Sequence, residues 1–500
     1  MKRIICGLLA ASLLLPALSA GAQNFKKVTV GKATPVKVEA VGAEFDPHFY
    51  SQNVVGRPGD GAKAEDFAII DRRVTEMGLQ KFRMMIQPQW FEPYNDNDDP
   101  FDTDFDAFRW NTVEMQSVYQ ILDLAQKNNM QVCLAVWGCT RHVSMVEPEY
   151  ADVTTCFLKD GDANKNWVCP PADNDEFGEN FAALVKYLIE VKGYTCITEI
   201  TPFNEPGGDI IDPDGYMEVC RALDNQFKRL GVRDKVRFNL SDNIDTHQYY
   251  LRACAKELKG IADIFNSHTY IFGYSTPNRK VLDWEKRNVR ISRRAGVNHI
   301  VGEFGSNQCV GASRQRDIDT YGRGILMARH VLNFFNAGAC AVSYWGLIDQ
   351  YYGYQADYEQ MQQLGLWRYV KAAYANDTTY SRISCDYECR PQYYAYAMIS
   401  SNVRPGAEIH PLELGHKYAA GTAFRNADGK WVYVFANAGS GPLHLAVVND
   451  AEGEFETIRY EQESLPTDGS LIRPDGTLAV ADGKLNVTVA PDSVVVCRQK

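Results

Sequence analysis

The segment CITEITPFNEP, from Cys196 to Pro206, decides the fold. Its first part, Cys196–Pro202, is short, apolar and β-branched, which predicts a buried strand. The polar tripeptide Asn204-Glu205-Pro206 follows at once. Taken alone, this tripeptide fits the first turn of a helix, with proline at the first helical position. The segment therefore predicts a strand that leads through a polar loop into a helix.

Runs of the same kind recur along most of the chain and alternate with helix-length amphipathic stretches, which is typical of parallel strands joined by crossover helices. The predicted strands are Val38–Glu44, Lys81–Ile86, Gln131–Trp137, Cys196–Pro202, Lys235–Ser241, Ala262–His268, His299–Glu303 and Cys340–Trp345. Predicted helices between them include Glu65–Met77, Met115–Asn128, Phe177–Val191, Tyr216–Leu230 and Tyr321–Phe335. Eight strand–helix units predict a closed (β/α)8 barrel rather than an open sheet.

A second domain follows the barrel. After Pro405-Gly406 the chain changes to short alternating runs with Gly, Asn and Asp turns, including Lys430–Ala436, Leu443–Val448 and Leu485–Val496. We therefore predict a catalytic barrel over 23–405 and a β-sandwich module over 406–500, with 27–38 as a candidate strand of that module. Because no Ser/Thr/Pro-rich linker separates the parts, we expect the module to be docked on the barrel.

The N-terminus has the features of an export signal. Lys2 and Arg3 precede the apolar run Ile4–Leu18, and Ala20-Gly21-Ala22 fits a small-residue cleavage site. We expect residues 1–22 to be removed and the mature protein to be secreted or periplasmic. No later apolar run is long enough to cross a bilayer, so no membrane insertion is expected.

Charge and cysteine content restrict the partners. The net charge of −11 argues against nucleic acid as a partner. Cys133, Cys196, Cys220 and Cys340 lie within predicted elements and are expected in the core, whereas Cys385 and Cys389 flank a short loop that a local disulfide would suit. No two CxxC units occur at the spacing of a zinc finger. We predict no metal ligands and no cofactor, and we expect a monomer.

Active sites of such barrels form at the carboxyl ends of the strands, so polar residues there are the candidates. Glu205 follows strand four and Glu303 ends strand seven, which places two carboxyl groups at one barrel mouth. Glycoside hydrolysis uses such a pair, one as proton donor and one as nucleophile. The accompanying candidates for substrate binding are Arg83, Trp137, Asn204, His268, Tyr270 and Trp345.

These residues have distinct physical roles. Arg83 would keep the Glu303 carboxylate ionised and oriented, and Tyr270 would donate a hydrogen bond to it. Asn204 would contact a sugar 2-hydroxyl. The two tryptophans, Trp137 and Trp345, would pack against sugar rings.

The same residues carry a resemblance to the clan A glycoside hydrolases, above all families 5, 30 and 39. His268 with Tyr270 resembles family 5, whereas Tyr393-Tyr394-Ala395 and 403–407 ahead of a β-module resemble family 30. The resemblance implies a retaining double displacement on β-linked glycans of glucan, xylan or mannan type, with Glu205 as acid/base and Glu303 as nucleophile. A transglycosidase, or a carbohydrate-binding barrel without catalysis, would carry the same residues.

Several candidates have ordinary alternatives. His268 could be a hydrogen-bonded core histidine, the tryptophans could line the core, and His142 could be a plain loop residue. The acidic stretch Asp96–Asp106 has the carboxylate density of a calcium loop but lacks the EF-hand pattern, which favours a solvated loop. The aromatic stretches 90–94 and 351–354 are candidate walls of a sugar cleft, or else pack against neighbouring loops.

Overall fold

The computed structural model describes residues 24–47, 53–54, 57–58, 64–139, 169–207, 210–307, 315–355, 358–368, 387–448 and 450–500. Eight parallel strands pair in sequence order and close into a barrel, with the eighth strand hydrogen-bonded to the first. A helix follows each strand along the chain. The predicted (β/α)8 fold is therefore confirmed.

The predicted barrel strands agree with the observed ones to within a few residues at each end. The observed strands, numbered one to eight below, are Ala40–Glu44, Lys81–Ile86, Gln131–Val136, Ile197–Thr201, Arg237–Asn243, Ile264–Thr269, Asn298–Phe304 and Ala341–Tyr344. The helices that follow them are Ala64–Met77, Val113–Lys127, Asn174–Lys186, Pro213–Arg229, Gln248–Glu257, Asn278–Arg294, Tyr321–Ala337 and Pro391–Ser400. Nearly every strand residue is buried, because barrel side chains and outer helices cover both faces.

A two-sheet module completes the chain. Its larger sheet contains, in spatial order, Glu408–Leu412, Ala419–Arg425, Trp431–Asn437, Ser493–Gln499, Glu454–Tyr460 and Gly476–Ala479. Its smaller sheet contains Lys26–Thr29, Leu443–Val448 and Lys484–Val489, and the first of these strands pairs in parallel with the second. Apolar residues of both sheets, such as Val28, Tyr433 and Val487, form one core between them.

One predicted strand of the module is wrong. Leu485–Val496 was expected to be continuous, but the structure has two strands, Lys484–Val489 and Ser493–Gln499, which belong to different sheets. The break lies at Ala490-Pro491-Asp492, where Asp492 has φ 47°. Proline lacks the N–H that a strand ladder needs, and a left-handed residue turns the chain.

The module packs directly on the helix Tyr321–Ala337. The rings of Tyr321 and Tyr460 stack with centroids 4.6 Å apart, and each hydroxyl donates to the backbone carbonyl of the other residue. Asn336 Nδ2 donates to the carbonyl of Gly421 at 2.9 Å. A side chain at Gly324 would collide with the Tyr460 hydroxyl. These contacts join the module to the barrel through specific packing.

The remaining expectations have mixed outcomes. Cys133, Cys196, Cys220 and Cys340 are buried, as expected for core thiols. Cys385 and the leader 1–22 lie outside the described residues. In the described part of the chain, no helix is long and apolar enough to cross a membrane.

Candidate active site

The two predicted glutamates meet at the carboxyl end of the barrel. A carboxylate oxygen of Glu205, one of Glu303 and a ring nitrogen of His268 all lie within 4.8 Å of one another. The side chain of Glu303 is 6% exposed, whereas that of Glu205 is 31% exposed. One carboxyl group is therefore enclosed by protein and the other faces the open end of the barrel.

Local backbone geometry positions both carboxyl groups. Strand four ends at Thr201, and Glu205 has φ 44°, a left-handed conformation that is uncommon for a residue with a side chain. On strand seven, the pairing with strand six shifts between Val301 and Glu303. Such irregularities re-aim side chains and are frequent near active sites. They turn both glutamates toward the same space.

Each oxygen of Glu303 has its own hydrogen-bond donor. Arg83 Nη1 lies 2.7 Å from Oε1, and the Tyr270 hydroxyl donates to Oε2 at 2.8 Å. Burial raises the pKa of Glu303 to about 7, although the charges of His268 and Arg83 act in the opposite direction. Arg83 therefore acts in the expected direction and lowers the pKa of Glu303, but the cost of burying the charge exceeds the attraction of the two cations.

Arg83 connects four acceptors across the barrel interior. Besides Glu303, its Nη1 lies 3.0 Å from Glu44 Oε2, and its Nη2 lies 2.9 Å from Asn204 Oδ1 and 2.6 Å from Asp242 Oδ2. The residue was expected near the end of strand two but lies inside it, so its long side chain rises within the barrel. The planar guanidinium group thus fixes residues of strands one, five and seven and of the loop after strand four relative to one another.

His268 contacts both Glu205 and Asp242. Its Nδ1 lies 2.7 Å from Glu205 Oε1, and its Nε2 lies 3.1 Å from Asp242 Oδ1. Burial alone would lower the pKa of His268, but the negative charges of Glu303 and Asp242 raise it well above the usual range. Both ring nitrogens then carry protons and donate. The histidine is fully buried and also contacts a predicted catalytic group, so it combines both roles considered from the sequence.

Three further residues of the site were not predicted. Asp242 is the last residue but one of strand five, Glu44 ends strand one, and Asn266 lies on strand six. Asp242 accepts from Arg83, His268 and Asn266, and its charge is preserved because Arg83 and His268 lower its pKa despite complete burial. Both Asp242 and Glu44 lie at the carboxyl ends of their strands, so the rule that places active-site residues there applies to them as well.

The backbone at Asp242 is also unusual. Ser241 and Asp242 have φ 79° and 46°, two consecutive left-handed residues without glycine. The pairing of strands five and six shifts here as well. Strain of this kind costs about 1–3 kcal/mol per residue and persists where surrounding structure enforces it. The Asp242 carboxylate is therefore held in place by both backbone and hydrogen bonds.

The remaining predicted binding residues border the same mouth. Asn204 uses Oδ1 for Arg83, which leaves its amide nitrogen as the group that can reach a ligand. The rings of Trp137 and Trp345 lie 5.9 Å apart at 51°. Trp345 packs against Met85, Ala135 and Leu364 and is only 8% exposed, so much of its surface belongs to the core.

The loop predictions were borne out only in part. Trp90 and Phe91 are buried, which favours packing over a cleft wall, whereas Tyr94 is 54% exposed. His142 lies outside the described residues, as do the side chains of the tyrosines in 351–354. Residues Asp98, Asp99, Asp102, Asp104 and Asp106 are exposed, as expected for a solvated loop.

The spacing of Glu205, His268 and Glu303 would also suit a metal ion. Each of these groups is already hydrogen-bonded within the network, to His268, Asp242, Arg83 or Tyr270. A protonated His268 has no free lone pair for a metal. The arrangement is better suited to moving protons between carboxyl groups.

Comparison with known proteins supports the fold assignment. The sequence matches no protein-family model, and no curated protein matches it. The fold, however, matches many solved structures. A family 30 endoxylanase from Clostridium papyrosolvens C71 has a TM-score of 0.63 at 12% identity, covering 95% of this chain and 100% of that one.

Two other solved structures show a similar likeness. A family 39 β-xylosidase from Caulobacter crescentus has a TM-score of 0.58 at 13% identity, covering 95% of this chain and 100% of that one. An endo-β1,6-glucanase has a TM-score of 0.59 at 15% identity, covering 96% and 95%. At these identities the likeness shows a shared fold. The resemblance to clan A glycoside hydrolases is therefore confirmed for the fold.

Proposed function

We propose that this protein is a retaining β-glycosidase that acts on β-linked glycans, with Glu303 as nucleophile and Glu205 as general acid/base. The observation that carries the proposal is the approach of the two carboxylates, whose oxygens lie within 4.8 Å. Retaining enzymes hold their carboxyl groups about 5–5.5 Å apart, whereas inverting enzymes leave about 6.5–9.5 Å for a water molecule. The close approach of one oxygen from each group favours the retaining arrangement.

The reaction proceeds in two displacements. In the first, Glu303 attacks the anomeric carbon, the glycosidic C–O bond breaks, and Glu205 gives its proton to the departing oxygen. In the second, Glu205 takes a proton from water, the water oxygen attacks the anomeric carbon, and the bond to Glu303 breaks. The sugar keeps its β configuration, and both glutamates return to their starting states.

The surrounding residues give each step its electrostatic setting. Arg83 and Tyr270 hold the two oxygens of Glu303, which orients the attack. When Glu303 becomes an ester its charge disappears, while Arg83 and the imidazolium of His268 remain. The His268 ring therefore lies next to the carboxylate of Glu205 when that group has to accept a proton from water.

The named neighbours include an endoxylanase, a β-xylosidase and an endo-β1,6-glucanase. We therefore propose β-linked xylose or glucose chains as the first substrates to test. The basic residues and apolar run at the N-terminus further support the proposal that the enzyme is exported.

The proposal is tested by the stereochemistry of the first product. The protein is incubated with a panel of aryl β-glycosides and β-linked polysaccharides, and the anomer formed first is observed by proton NMR. We expect the β anomer. Initial formation of the α anomer would refute a double displacement. Transfer to added sugar acceptors in place of water would identify a transglycosidase, and binding without any cleavage would identify a non-catalytic barrel.

The pH dependence of activity follows from Glu303. Attack needs the carboxylate form, and burial raises the pKa of this group to about 7. We therefore expect kcat/KM, which reports the free enzyme, to fall as pH decreases through about 7. The measurement is kcat/KM on an aryl β-glycoside, with circular dichroism at each pH to verify folding. Full kcat/KM at pH about 5 in folded protein would contradict the prediction.

Asp242 is expected to act as a positioning residue. Asp242→Asn should lower kcat about 10²-fold with little change in KM, because Asp242 is fully buried and orients Arg83 and His268 without lining the cleft. Asp224→Asn is the matched control. Asp224 is also buried and pairs with Arg233, but on the outer helix, so its loss should affect stability and not kcat. An unchanged kcat in Asp242→Asn would contradict the assignment.

A further inference from the structure

A second group of carboxylates lies where the loop that follows strand two meets the helix that follows strand three. We define the acidic cluster as Glu92 and Asp96 of this loop with Glu176 and Glu179 of the helix Asn174–Lys186. A carboxylate oxygen from each of Asp96, Glu176 and Glu179 lies within 4.8 Å of the others. Glu92 adjoins them, since its Oε1 accepts from the backbone N–H of Asp96 at 3.2 Å. Two separate parts of the chain thus converge on one point.

The acidic cluster is largely removed from water. Glu92, Glu176 and Glu179 are each 4% exposed or less. The nearest guanidinium that contacts Glu179 belongs to Arg229, whose Nη2 lies 3.2 Å from Oε1. This guanidinium contacts Oε1 of Glu179 and leaves the buried Oε2 without a donor among the described residues.

Two buried oxygen atoms at the acidic cluster have no hydrogen-bond donor within the part of the chain that the structure describes. Glu179 Oε2 and Asn180 Oδ1 are buried and have no hydrogen-bond donor among the described residues. Both residues are 1% exposed. The amide of Asn180 belongs to the cluster, because its Nδ2 donates to Glu92 Oε2 at 2.8 Å. Buried acceptors nearly always have a partner. These two oxygens therefore indicate that a group other than the protein's own atoms binds here.

We propose that the acidic cluster is a structural calcium site. Its ligands would be drawn from the carboxylates of Glu92, Asp96, Glu176 and Glu179 and the amide oxygen of Asn180. All of these are hard oxygen donors, and calcium accepts six to eight of them in flexible geometry. The absence of histidine and cysteine from the cluster disfavours zinc and the softer metals. Magnesium prefers a small octahedral shell that keeps several waters, which fits a buried multidentate cluster less well.

The proposed ligand set differs from the pattern in the sequence. In the acidic stretch Asp96–Asp106, only Asp96 turns inward to the cluster, while Asp98, Asp99, Asp102, Asp104 and Asp106 are exposed. The ion would tie the loop after strand two to the helix after strand three. Because this loop also borders the barrel mouth, calcium would stabilise one rim of the cleft without touching the reacting groups.

The test uses the full-length protein after removal of metals with a chelator. Calcium chloride is titrated by isothermal calorimetry, and thermal unfolding is followed with and without calcium. We expect one calcium per chain and a higher Tm in its presence. Glu179→Gln and Asp96→Asn should each weaken binding at least 10-fold. Asp102→Asn, which removes the same charge from an exposed position in the same loop, should bind calcium like the wild type.

The outcomes separate clearly. No calcium binding by the folded wild type at about 10 mM, well above the range of extracellular sites, would overturn the proposal. So would binding of magnesium but not calcium, or equal weakening by Asp102→Asn. If Glu179→Gln fails to fold, Asp96→Asn and the calcium content of the wild type by mass spectrometry decide. None of these measurements depends on glycosidase activity, so the outcome does not depend on the proposed function.

Discussion

Glu303→Ala is expected to lower kcat/KM by about 10⁴-fold or more on every β-glycoside that the wild type cleaves. The reason is that the first displacement then has no attacking group, even when the leaving group is excellent. Arg83 would lose this partner but keep its bond to Asp242, and Tyr270 would keep the backbone bond to Asp245. The measurement is initial-rate kinetics on aryl glycosides with good and poor leaving groups.

The role of Glu303 can be tested without a variant. A 2-fluoro sugar with a good leaving group slows the second displacement, so the glycosyl ester should accumulate on the wild type. Peptide mapping should place the label on Gly302-Glu303-Phe304. Glu303→Gln, which keeps the shape of the side chain, serves as the unlabelled control. A label on any other peptide would disprove the assignment.

Glu205→Ala is expected to separate substrates by leaving group. Natural glycosides, whose leaving alcohols need a proton, should be cleaved about 10²–10⁴-fold more slowly. Activated aryl glycosides should still undergo the first displacement, because their leaving groups depart as anions. The glycosyl ester should then accumulate, since no base remains to activate water. Steady-state and pre-steady-state rates on the two substrate classes measure the difference.

Added azide gives a second measure of the same role. Azide needs no general base, so it should restore turnover of Glu205→Ala on aryl substrates and yield a β-glycosyl azide. Asn204→Ala is the matched control, since Asn204 holds Arg83 and transfers no proton. It should slow both substrate classes alike and respond little to azide. Equal loss on both classes in Glu205→Ala, with no azide rescue, would refute its acid/base role.

The sequence identified most of the elements that position the site. All eight barrel strands were predicted within a few residues, because each is a short apolar run flanked by turns or helical periodicity. Two glutamates after strands four and seven then had to face the same opening. The strands of the β-module were harder to predict, as the break at Ala490-Pro491-Asp492 shows. Pro491-Asp492 is a turn signal in the sequence, but the two-residue alternation continues on both sides of it and does not show that the chain changes sheet.

The pKa values of the site residues could not be predicted from the sequence. Arg83 was expected to keep Glu303 ionised, but the pKa of Glu303 is raised because burial outweighs that attraction. Burial is a collective property of the closed barrel and depends on strands far apart in sequence. Similarly, Asp242 acquires its importance only when closure brings Arg83 and His268 to its two oxygens.

The sequence by itself therefore determined the barrel, the order of its strands and the pair of carboxyl groups at its mouth, since these follow from local periodicity and from the common direction of parallel strands. Only the tertiary structure decided how those groups are held and charged, and that Asp96 meets Glu176 and Glu179 in a buried cluster. Residues distant in the chain leave no periodic pattern in the sequence that would predict their contacts or the burial that accompanies them. These contacts appear only when the strands and loops are packed together.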